Sequence, residues 1–205
     1  MKETIYDEKH ITEQAKKITE LCNNLTCYSA KDFADTRKFN KEHKEYPLPE
    51  NGVYVIFEKG ETAFGKKRIV RVGTHRNDGR LTARLGDHFR TNSKDGSVFR
   101  ELVGLALKAK EGKKISDYMR ENMSFAIISV NKKEDRTYVE DKIIATLSWW
   151  AFFNKDKAHS PDWLGAKINE NSKKEFVSEF GMWLSDSVLK PPVLKDNDPL
   201  YKYLK

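Results

Sequence analysis

The sequence predicts an α/β chain of the α+β kind: a small three-stranded, mainly antiparallel sheet flanked by helices, with helical N- and C-terminal extensions. Two runs of β-branched and aromatic residues, at 52–58 and 68–73, predict a hairpin with a loop of about nine residues. A third such run lies at 123–130, between segments whose apolar residues recur at helical spacing. With 205 residues, 38% of them hydrophobic, the chain is long enough to bury a core without disulfides.

The first part of the chain, residues 1–46, is predicted to be a helical extension. Apolar residues recur at helical spacing over 9–24, and a second short helix is expected over 30–39. A rigid joint containing two prolines follows, and we therefore place the central domain at 47–156.

Two neighbouring rows of side chains distinguish the helix predicted at 79–90. Residues four apart form an apolar row that is expected to pack on the core: Leu81, Leu85 and Phe89. The adjacent row carries two guanidinium groups and an imidazole: Arg80, Arg84 and His88. This second row is predicted to face a ligand. Ser97 is predicted to cap the next helix, which runs to about residue 110.

A carboxylate interrupts the apolar face of the helix predicted from about 135 to 150. Glu140 falls at the same helical spacing as Ile143, Ile144 and Leu147. A carboxylate on an apolar face is unfavourable unless it is paired with a cation or bound to a metal ion. The residues leave two explanations open: a metal site, and a buried salt bridge to Arg84.

The C-terminal part, residues 157–205, is predicted to be a helical extension with a tail. An amphipathic helix is expected at about 172–189, because Phe176, Phe180, Trp183 and Leu184 lie on one face. Pro191 and Pro192 then stop it, and a loose or strapped-down tail follows. No apolar run approaches the roughly 20 residues that span a bilayer, so a cytoplasmic protein without a membrane partner is expected.

The net charge of +7 is unevenly distributed. Residues 51–120 hold 16 Lys and Arg against 8 Asp and Glu, whereas the rest of the chain is nearly balanced. A basic surface attracts phosphate backbones, although a solvated lysine-rich surface explains the excess equally well. Cys22 and Cys27 have no further Cys or Cys/His pair near them, so a structural zinc site is not predicted.

Several short motifs occur in a fixed order along these predicted elements. They are Gly52-Val53-Tyr54, Arg71-Val72-Gly73, Arg84 followed by His88, then Glu140, and Asn154. In order, spacing and secondary structure they make residues 50–156 resemble the GIY-YIG nuclease family. The resemblance implies a GIY-YIG-like fold and a divalent-metal-dependent DNA endonuclease that hydrolyses a phosphodiester bond with one Mg²⁺ or Mn²⁺ ion.

The resemblance also implies a role for each motif residue. Tyr54 would activate water, Arg84 would hold the phosphate, and His88 would contact the same phosphate or its leaving oxygen. Glu140 would bind the metal ion, and Asn154 would orient the backbone or the substrate. Taken singly, these residues have simpler explanations: a packed strand tyrosine, exposed helical Arg and His residues, and an asparagine that caps a helix. The residues expected to contact DNA are His75, Arg76, Arg80, Arg84 and Arg90.

Arg71 departs from the family pattern, which usually has a second tyrosine at this position. As a catalytic residue, its cation would lower the pKa of Tyr54 and add a phosphate contact. The same substitution would also fit a catalytically inactive DNA-binding module on this fold, which is the alternative function. A third, weaker alternative is a protein-interaction domain whose basic face meets an acidic partner.

Overall fold

The computed structural model describes residues 6–44, 47–92, 97–168, 176–183, 190–193 and 195–205. In these residues an antiparallel four-stranded sheet has the strand order β1-β4-β2-β3. Its strands are β1 (Cys27–Ser29), β2 (Gly52–Ala63), β3 (Lys66–Gly73) and β4 (Met123–Ser129). The α+β class and the helix-flanked antiparallel sheet are confirmed, whereas the prediction of three strands is wrong.

The missed strand, β1, forms one edge of the sheet. It pairs with β4, and Tyr28 lies opposite Phe125. Its three residues are exposed or only partly buried. A segment this short shows no alternation of apolar and polar residues, which is the pattern that identifies a strand in a sequence.

The β2–β3 hairpin is longer and tighter than predicted. The strands pair as far as Ala63 and Lys66, and the turn residues Phe64 and Gly65 have φ angles of 54° and 70°. Two positive φ angles match the twist of a two-residue hairpin turn. The predicted nine-residue loop is wrong because residues 59–61, which have the composition of a turn, lie within β2.

The two faces of the sheet carry different helical layers. Val53 and Val55 of β2 point to the first layer, which contains α1 (Glu8–Asn24) and α7 (Lys133–Phe153). Tyr54 and Ile56 point to the second layer. Its helices are α2 (Ala30–Ala34), α3 (Thr36–Glu42), α4 (Leu81–Phe89), α5 (Val98–Ala106) and α6 (Gly112–Asn122).

Most helices agree with the sequence prediction. The helices expected at 9–24, 79–90 and 97–110 are present, and Ser97 caps α5 by accepting a hydrogen bond from the Arg100 amide. Helix α6 was not predicted, because Ile115 and Met119 are its only apolar buried residues. No described helix combines the length and the apolar composition needed to cross a membrane.

The C-terminal extension packs against both layers. Helix α8 (Phe176–Phe180) lies within the helix expected at 172–189, but Gly181 ends it with a φ of 61°. The prediction that this helix continues through Trp183 is therefore wrong, and residues 172–175 and 184–189 lie outside the described residues. The C-terminal tail is packed against the protein, since Leu200 and Leu204 are buried in the α1–α7 layer. Short 3₁₀ helices occur at Lys155–Lys157, Leu164–Lys167 and Pro199–Lys202.

Candidate active site

The structure brings most of the predicted site residues together at the open end of the hairpin, where β2 begins and β3 ends. Tyr54 lies in β2, helix α4 brings Arg84 and His88 from one layer, and α7 brings Glu140 from the other. Tyr54 interacts electrostatically with Arg71, Arg84 and Glu140. The site therefore forms where the two helical layers meet at an edge of the sheet.

Two motif glycines allow this arrangement. Gly73 pairs with Tyr54 across the hairpin, and a Cβ at Gly73 would lie 2.2 Å from the Tyr54 Oη. A Cβ at Gly52 would lie 2.5 Å from the carbonyl oxygen of Ile128 in β4. Neither position accepts a side chain without a shift of backbone or ring, so both motifs require glycine for close approach.

Tyr54 is completely buried, and its hydroxyl lies 2.8 Å from His88 Nε2. Burial raises the pKa of Tyr54 above its usual value, although Arg71 and Arg84 act in the opposite direction. The nearby cations lower the pKa as expected, but burial outweighs them, so the pKa of this phenol is raised overall in the free protein. Tyr54 is a neutral phenol, and it can take up a proton only when its own proton moves to an acceptor such as His88.

His88 lies behind Tyr54 and is fully buried, whereas the sequence predicted an imidazole that faces the ligand. Its Nδ1 is 2.9 Å from the Ser97 Oγ, because the N-terminal end of α5 covers this edge of α4. Burial lowers the pKa of His88 well below its usual value, and three guanidinium groups lower it further, those of Arg84, Arg71 and Arg100. His88 is thus a neutral imidazole in contact with Tyr54, and its predicted direct contact with the phosphate is not supported.

Arg71 lies on the same face of the sheet as Tyr54. Gly73 pairs with Tyr54 and Arg71 pairs with Ile56, so regular alternation along β3 puts both residues on this face. The next pair is Phe57 with Ile69, so one residue of β3 is left over in a β-bulge. The bulge separates Arg71 from Ile69, which packs in the α1–α7 layer on the other face of the sheet.

The C-terminal extension fixes the Arg71 side chain. The Trp183 amide donates to the Val70 carbonyl at 2.7 Å, which places this segment along the outer edge of β3. Arg71 Nη1 donates to the Trp183 carbonyl, while Arg71 Nε is buried and has no hydrogen-bond partner in the described part of the chain. An unpaired buried N–H is unfavourable, and a bound anion would satisfy it.

A pocket of about 340 Å³ opens beside these groups. It is lined by Thr74, His75, Arg76, Asn77, Arg80, Arg84 and Asp87. Arg84, whose side chain is 31% exposed, lines the pocket and interacts electrostatically with Tyr54. Its ion pair with Asp87 spans 3.7 Å at the surface and is weak, so a phosphate can compete for the guanidinium.

His75, which was predicted to contact DNA, is instead committed to the protein. Its Nε2 accepts a hydrogen bond from the Gly52 amide at 3.2 Å, and its Nδ1 lies 2.7 Å from the Asn77 carbonyl. An amide can only donate and a carbonyl can only accept, so the proton of the neutral ring is on Nδ1. His75 therefore anchors the loop after β3 to the start of β2.

The other predicted DNA contacts divide into two groups. Arg76 and Arg80 are exposed on the wall of the pocket, as a phosphate-binding surface requires. Arg90 lies elsewhere: its Nε donates to the Phe33 carbonyl at 3.1 Å, and its guanidinium is 3.9 Å from the centre of the Phe33 ring. The structure does not bring Arg90 to the pocket.

Glu140 is partly buried and has few partners. Burial raises the pKa of its carboxyl above the usual value, and the Arg71 charge and the Thr74 amide only partly oppose this. Glu140 forms no ion pair with Arg84 or with another described cation. The buried salt bridge that the sequence left open is therefore not the reason for a carboxylate at this position.

The predicted role of Asn154 in the site is contradicted by its position. It ends α7, 14 residues after Glu140, which corresponds to about 21 Å along a helix. Its Nδ2 donates to the Trp150 carbonyl at 3.1 Å. Asn154 is thus a local helix cap, the simpler of the two explanations that the sequence allowed.

The residues at this end of the hairpin fit a hard divalent cation that keeps most of its water ligands. Glu140 offers a carboxylate that has no ion pair within the described residues, and burial raises its pKa. Within the described ranges, no group of three or more His, Cys, Asp and Glu could hold a metal ion. Mg²⁺ needs only one or two carboxylates from a protein, so Glu140 is the residue that would hold it.

Comparison with protein families gives one finding. A sequence model of the GIY-YIG domain matches residues 12–116, just over half of the chain. The matched segment includes Tyr54, Arg71, Arg84 and His88, and it ends before Glu140. Comparisons with curated proteins and with solved structures find no match.

Proposed function

The chain belongs to the GIY-YIG family, and from that premise we propose that it is a divalent-metal-dependent DNA endonuclease that hydrolyses a phosphodiester bond. One observation carries the proposal: Tyr54, Arg84 and Glu140 meet beside a pocket rich in arginine, although they come from a strand and from two different helical layers. A base, a phosphate-binding cation and a metal-binding carboxylate are the groups that this reaction requires.

Phosphate binding is assigned to the arginines of the pocket. Arg76 and Arg80 are exposed and would attract the DNA backbone. Arg84 would bind the non-bridging oxygens of the scissile phosphate and stabilise the charge that develops on them. Because Arg84 also interacts electrostatically with Tyr54, a phosphate bound by Arg84 would change the surroundings of the Tyr54 hydroxyl as well.

Proton transfer from the attacking water is assigned to Tyr54 and His88. The phenol would take the proton of the water while its own proton passes to His88 Nε2, 2.8 Å away. Arg84 helps to keep the pKa of His88 low in the free protein. A bound phosphate would offset that positive charge, so the pKa of His88 would rise when the substrate arrives.

Glu140 is assigned to the metal ion, and Arg71 is assigned to a further contact with the phosphate. A Mg²⁺ or Mn²⁺ ion held by Glu140 would supply Lewis-acid stabilisation of the departing oxygen. The unpaired Nε of Arg71 supports a further contact to the phosphate, in place of the second tyrosine of the family. Arg71 would then be a cation held ready by the Trp183 carbonyl.

Two observations favour a second candidate, a catalytically inactive DNA-binding module. Arg71 replaces a tyrosine of the family pattern, and Tyr54 is completely buried in the free protein. An inactive module would keep salt-sensitive DNA binding, because the exposed arginines of the pocket are unaffected. It would cleave no substrate with any divalent metal ion.

Nicking of supercoiled plasmid DNA tests the proposal and separates the two candidates. The protein is incubated with Mg²⁺ or Mn²⁺, with and without EDTA, and DNA binding is measured in parallel by filter retention. We expect metal-dependent nicking, and a loss of about 10²–10³-fold in the Arg84→Ala variant. DNA binding without nicking in either metal would overturn the enzymatic proposal and leave the binding module.

A further inference from the structure

We infer that Ser97 is a positioning residue for the site: its hydroxyl oxygen accepts a hydrogen bond from His88 Nδ1, which turns the lone pair of Nε2 toward the Tyr54 hydroxyl. The inference deepens the proposed function and rests on it, because a buried phenol that serves as a base needs an acceptor for its own proton. Ser97 lies outside the motifs that identify the family, at the first turn of α5.

The argument begins with the hydrogen bonds that join Tyr54, His88 and Ser97. Two contacts link them, at 2.8 Å from Tyr54 Oη to Nε2 and at 2.9 Å from Nδ1 to Ser97 Oγ. The three groups carry three polar protons: one on each hydroxyl and one on the neutral ring. Two hydrogen bonds use two of these protons. The third proton has no acceptor among the three groups, and it belongs to one of the two hydroxyls.

Burial decides which hydroxyl it is. Tyr54 is 0% exposed, and within the described residues its hydroxyl has no hydrogen-bond acceptor other than His88. If the ring donated to Tyr54, the phenol proton would be enclosed with no acceptor, which is unfavourable. Ser97 is 8% exposed and is the only one of the three groups with any access to solvent, so its hydroxyl proton can reach water.

The surroundings of Ser97 are consistent with an accepting oxygen. Ser97 Oγ already accepts a hydrogen bond from the Arg100 amide at 3.2 Å as the N-cap of α5. A hydroxyl oxygen has two lone pairs, so it can accept from Arg100 and from His88 at once. The helix cap and the orientation of the imidazole are thus set by one oxygen atom.

The consequence is a fixed order of donors: Tyr54 donates to His88, and His88 donates to Ser97. When the phenol proton moves to Nε2, the ring becomes a cation whose Nδ1–H is already paired. Ser97 would hold the imidazole as a carboxylate holds it in the Ser-His-Asp triads, without adding a buried negative charge.

The protein contains its own reference for the experiment. The contacts of His75 require a proton on Nδ1, independently of any argument about the site. Long-range ¹H–¹⁵N correlation spectra distinguish protonated from unprotonated ring nitrogens. The His88 signals are assigned from their disappearance in His88→Gln, and the spectra are recorded without DNA or metal.

We expect His88 and His75 to share the Nδ1–H form in the wild-type protein. Ser97→Ala removes the acceptor and should move His88 to the Nε2–H form, whereas Ser97→Thr keeps the hydroxyl and should leave the spectrum unchanged. Ser29→Ala is the matched control, because Ser29 caps α2 in the same way and contacts neither ring. A proton on Nε2 of His88 in the wild type, or an unchanged ring in Ser97→Ala, would overturn the inference.

Nicking then connects the tautomer to the reaction. Ser97→Ala should lose about 10–100-fold in rate, while Ser97→Thr and Ser29→Ala stay near the wild type. If the wild-type protein nicks no DNA, the proposed function fails, and the spectra still decide how Ser97 orients His88. If Ser97→Ala does not fold, the wild-type spectrum alone decides between the two ring forms.

Discussion

Two carboxylates, the buried Glu61 and the partly buried Glu140, lie at opposite ends of the β2–β3 hairpin and have opposite surroundings. Glu61, near the closed end, accepts from Arg68 Nη2 at 2.6 Å, from Arg68 Nε at 3.1 Å and from the Ser160 amide at 3.1 Å. Burial by itself would raise the pKa of Glu61, but Ser160 and Arg68 hold it below its usual value. Glu140, at the open end, has no comparable partners, and its pKa stays raised.

The difference separates a structural carboxylate from one suited to bind a ligand. At the closed end, protein donors satisfy the charge and tie the C-terminal extension to the hairpin, as they also do at Glu58, which accepts from the indoles of Trp163 and Trp183 at 2.9 Å each. At the open end, and within the described residues, Glu140 has no ion pair and the Arg71 Nε has no hydrogen-bond partner. Unsatisfied buried groups are unfavourable in the free protein, and they persist where a ligand satisfies them.

The largest expected effect is the loss of cleavage in Glu140→Gln. The substitution removes the charge that would bind the metal ion, and nicking should fall by at least about 10³-fold. Stability should stay equal or rise, since the buried charge is relieved. Plasmid nicking measures the loss of cleavage, and urea unfolding measures the change in stability.

Asp141→Asn is the control for Glu140→Gln, because Asp141 is the next residue and pairs with Lys190 on the surface. Full nicking by Glu140→Gln would remove Glu140 from the mechanism.

The same substitution at the other end, Glu61→Gln, should have the opposite pattern. It leaves the Arg68 guanidinium buried without a counter-ion, since both side chains are only 4% exposed. Loss of one partner of a buried pair lowers the free energy of unfolding by about 3 kcal/mol. Urea unfolding should show this loss, while the nicking rate per folded molecule stays near the wild type. A stable variant with impaired nicking would contradict the assignment of Glu61 to structure.

Gly73→Ala tests the packing that positions Tyr54. The added Cβ would lie 2.2 Å from the phenol oxygen, so the ring or the strand must shift. We expect a loss of about 1–3 kcal/mol in stability and a nicking rate reduced more than tenfold. In Gly86→Ala, the matched control in α4, the nearest atom is 3.8 Å away, and a gain of about 0.5–1 kcal/mol is expected. Equal behaviour of the two variants would show that close packing at Gly73 is not required.

A smaller effect is expected in the pH dependence of stability. Glu61 and Glu140, at the two ends of the hairpin, should contribute to it with opposite signs. The lowered pKa of Glu61 stabilises the fold above the pKa of the unfolded chain, and this contribution is lost as the pH falls through the folded pKa. The raised pKa of Glu140 acts in reverse, because its charged form is disfavoured in the fold and destabilises it above the folded pKa. Urea unfolding from about pH 2 to 8 should show the acid-side loss reduced in Glu61→Gln and the neutral-pH destabilisation reduced in Glu140→Gln. A change of the same sign in both variants would contradict the comparison.

Three of the four strands and the main helices could be predicted because each is a local pattern, whereas the convergence of the site was implied by the family resemblance. Short stretches of sequence contain the patterns that predict these elements. They are the β-branched run at β2, the apolar row of α4 and the apolar stripe around Glu140. Glu140 in particular was found from its position on an apolar face. The family model match ends before this residue.

The features of the site that could not be predicted from the sequence depend on contacts between distant segments. The burial of His88 arises because α5 covers one edge of α4, and the bulge that separates Arg71 from Ile69 shows only in the pairing register. The burial of Tyr54 reverses the direction expected for its pKa. Ser97 was identified as a helix cap, but nothing local indicates that the same hydroxyl contacts His88. These are tertiary effects, which periodicity does not encode.

Binding of Mn²⁺ to the protein without DNA tests the central claim most directly, because it compares the two carboxylates with no reference to cleavage. Water-proton relaxation is followed as Mn²⁺ is added to the wild type, Glu61→Gln and Glu140→Gln at a temperature where all three are folded. We predict one site in the wild type and in Glu61→Gln, and its loss in Glu140→Gln. Equal Mn²⁺ binding by the wild type and Glu140→Gln would contradict the assignment of the metal ion to Glu140 at the open end of the hairpin.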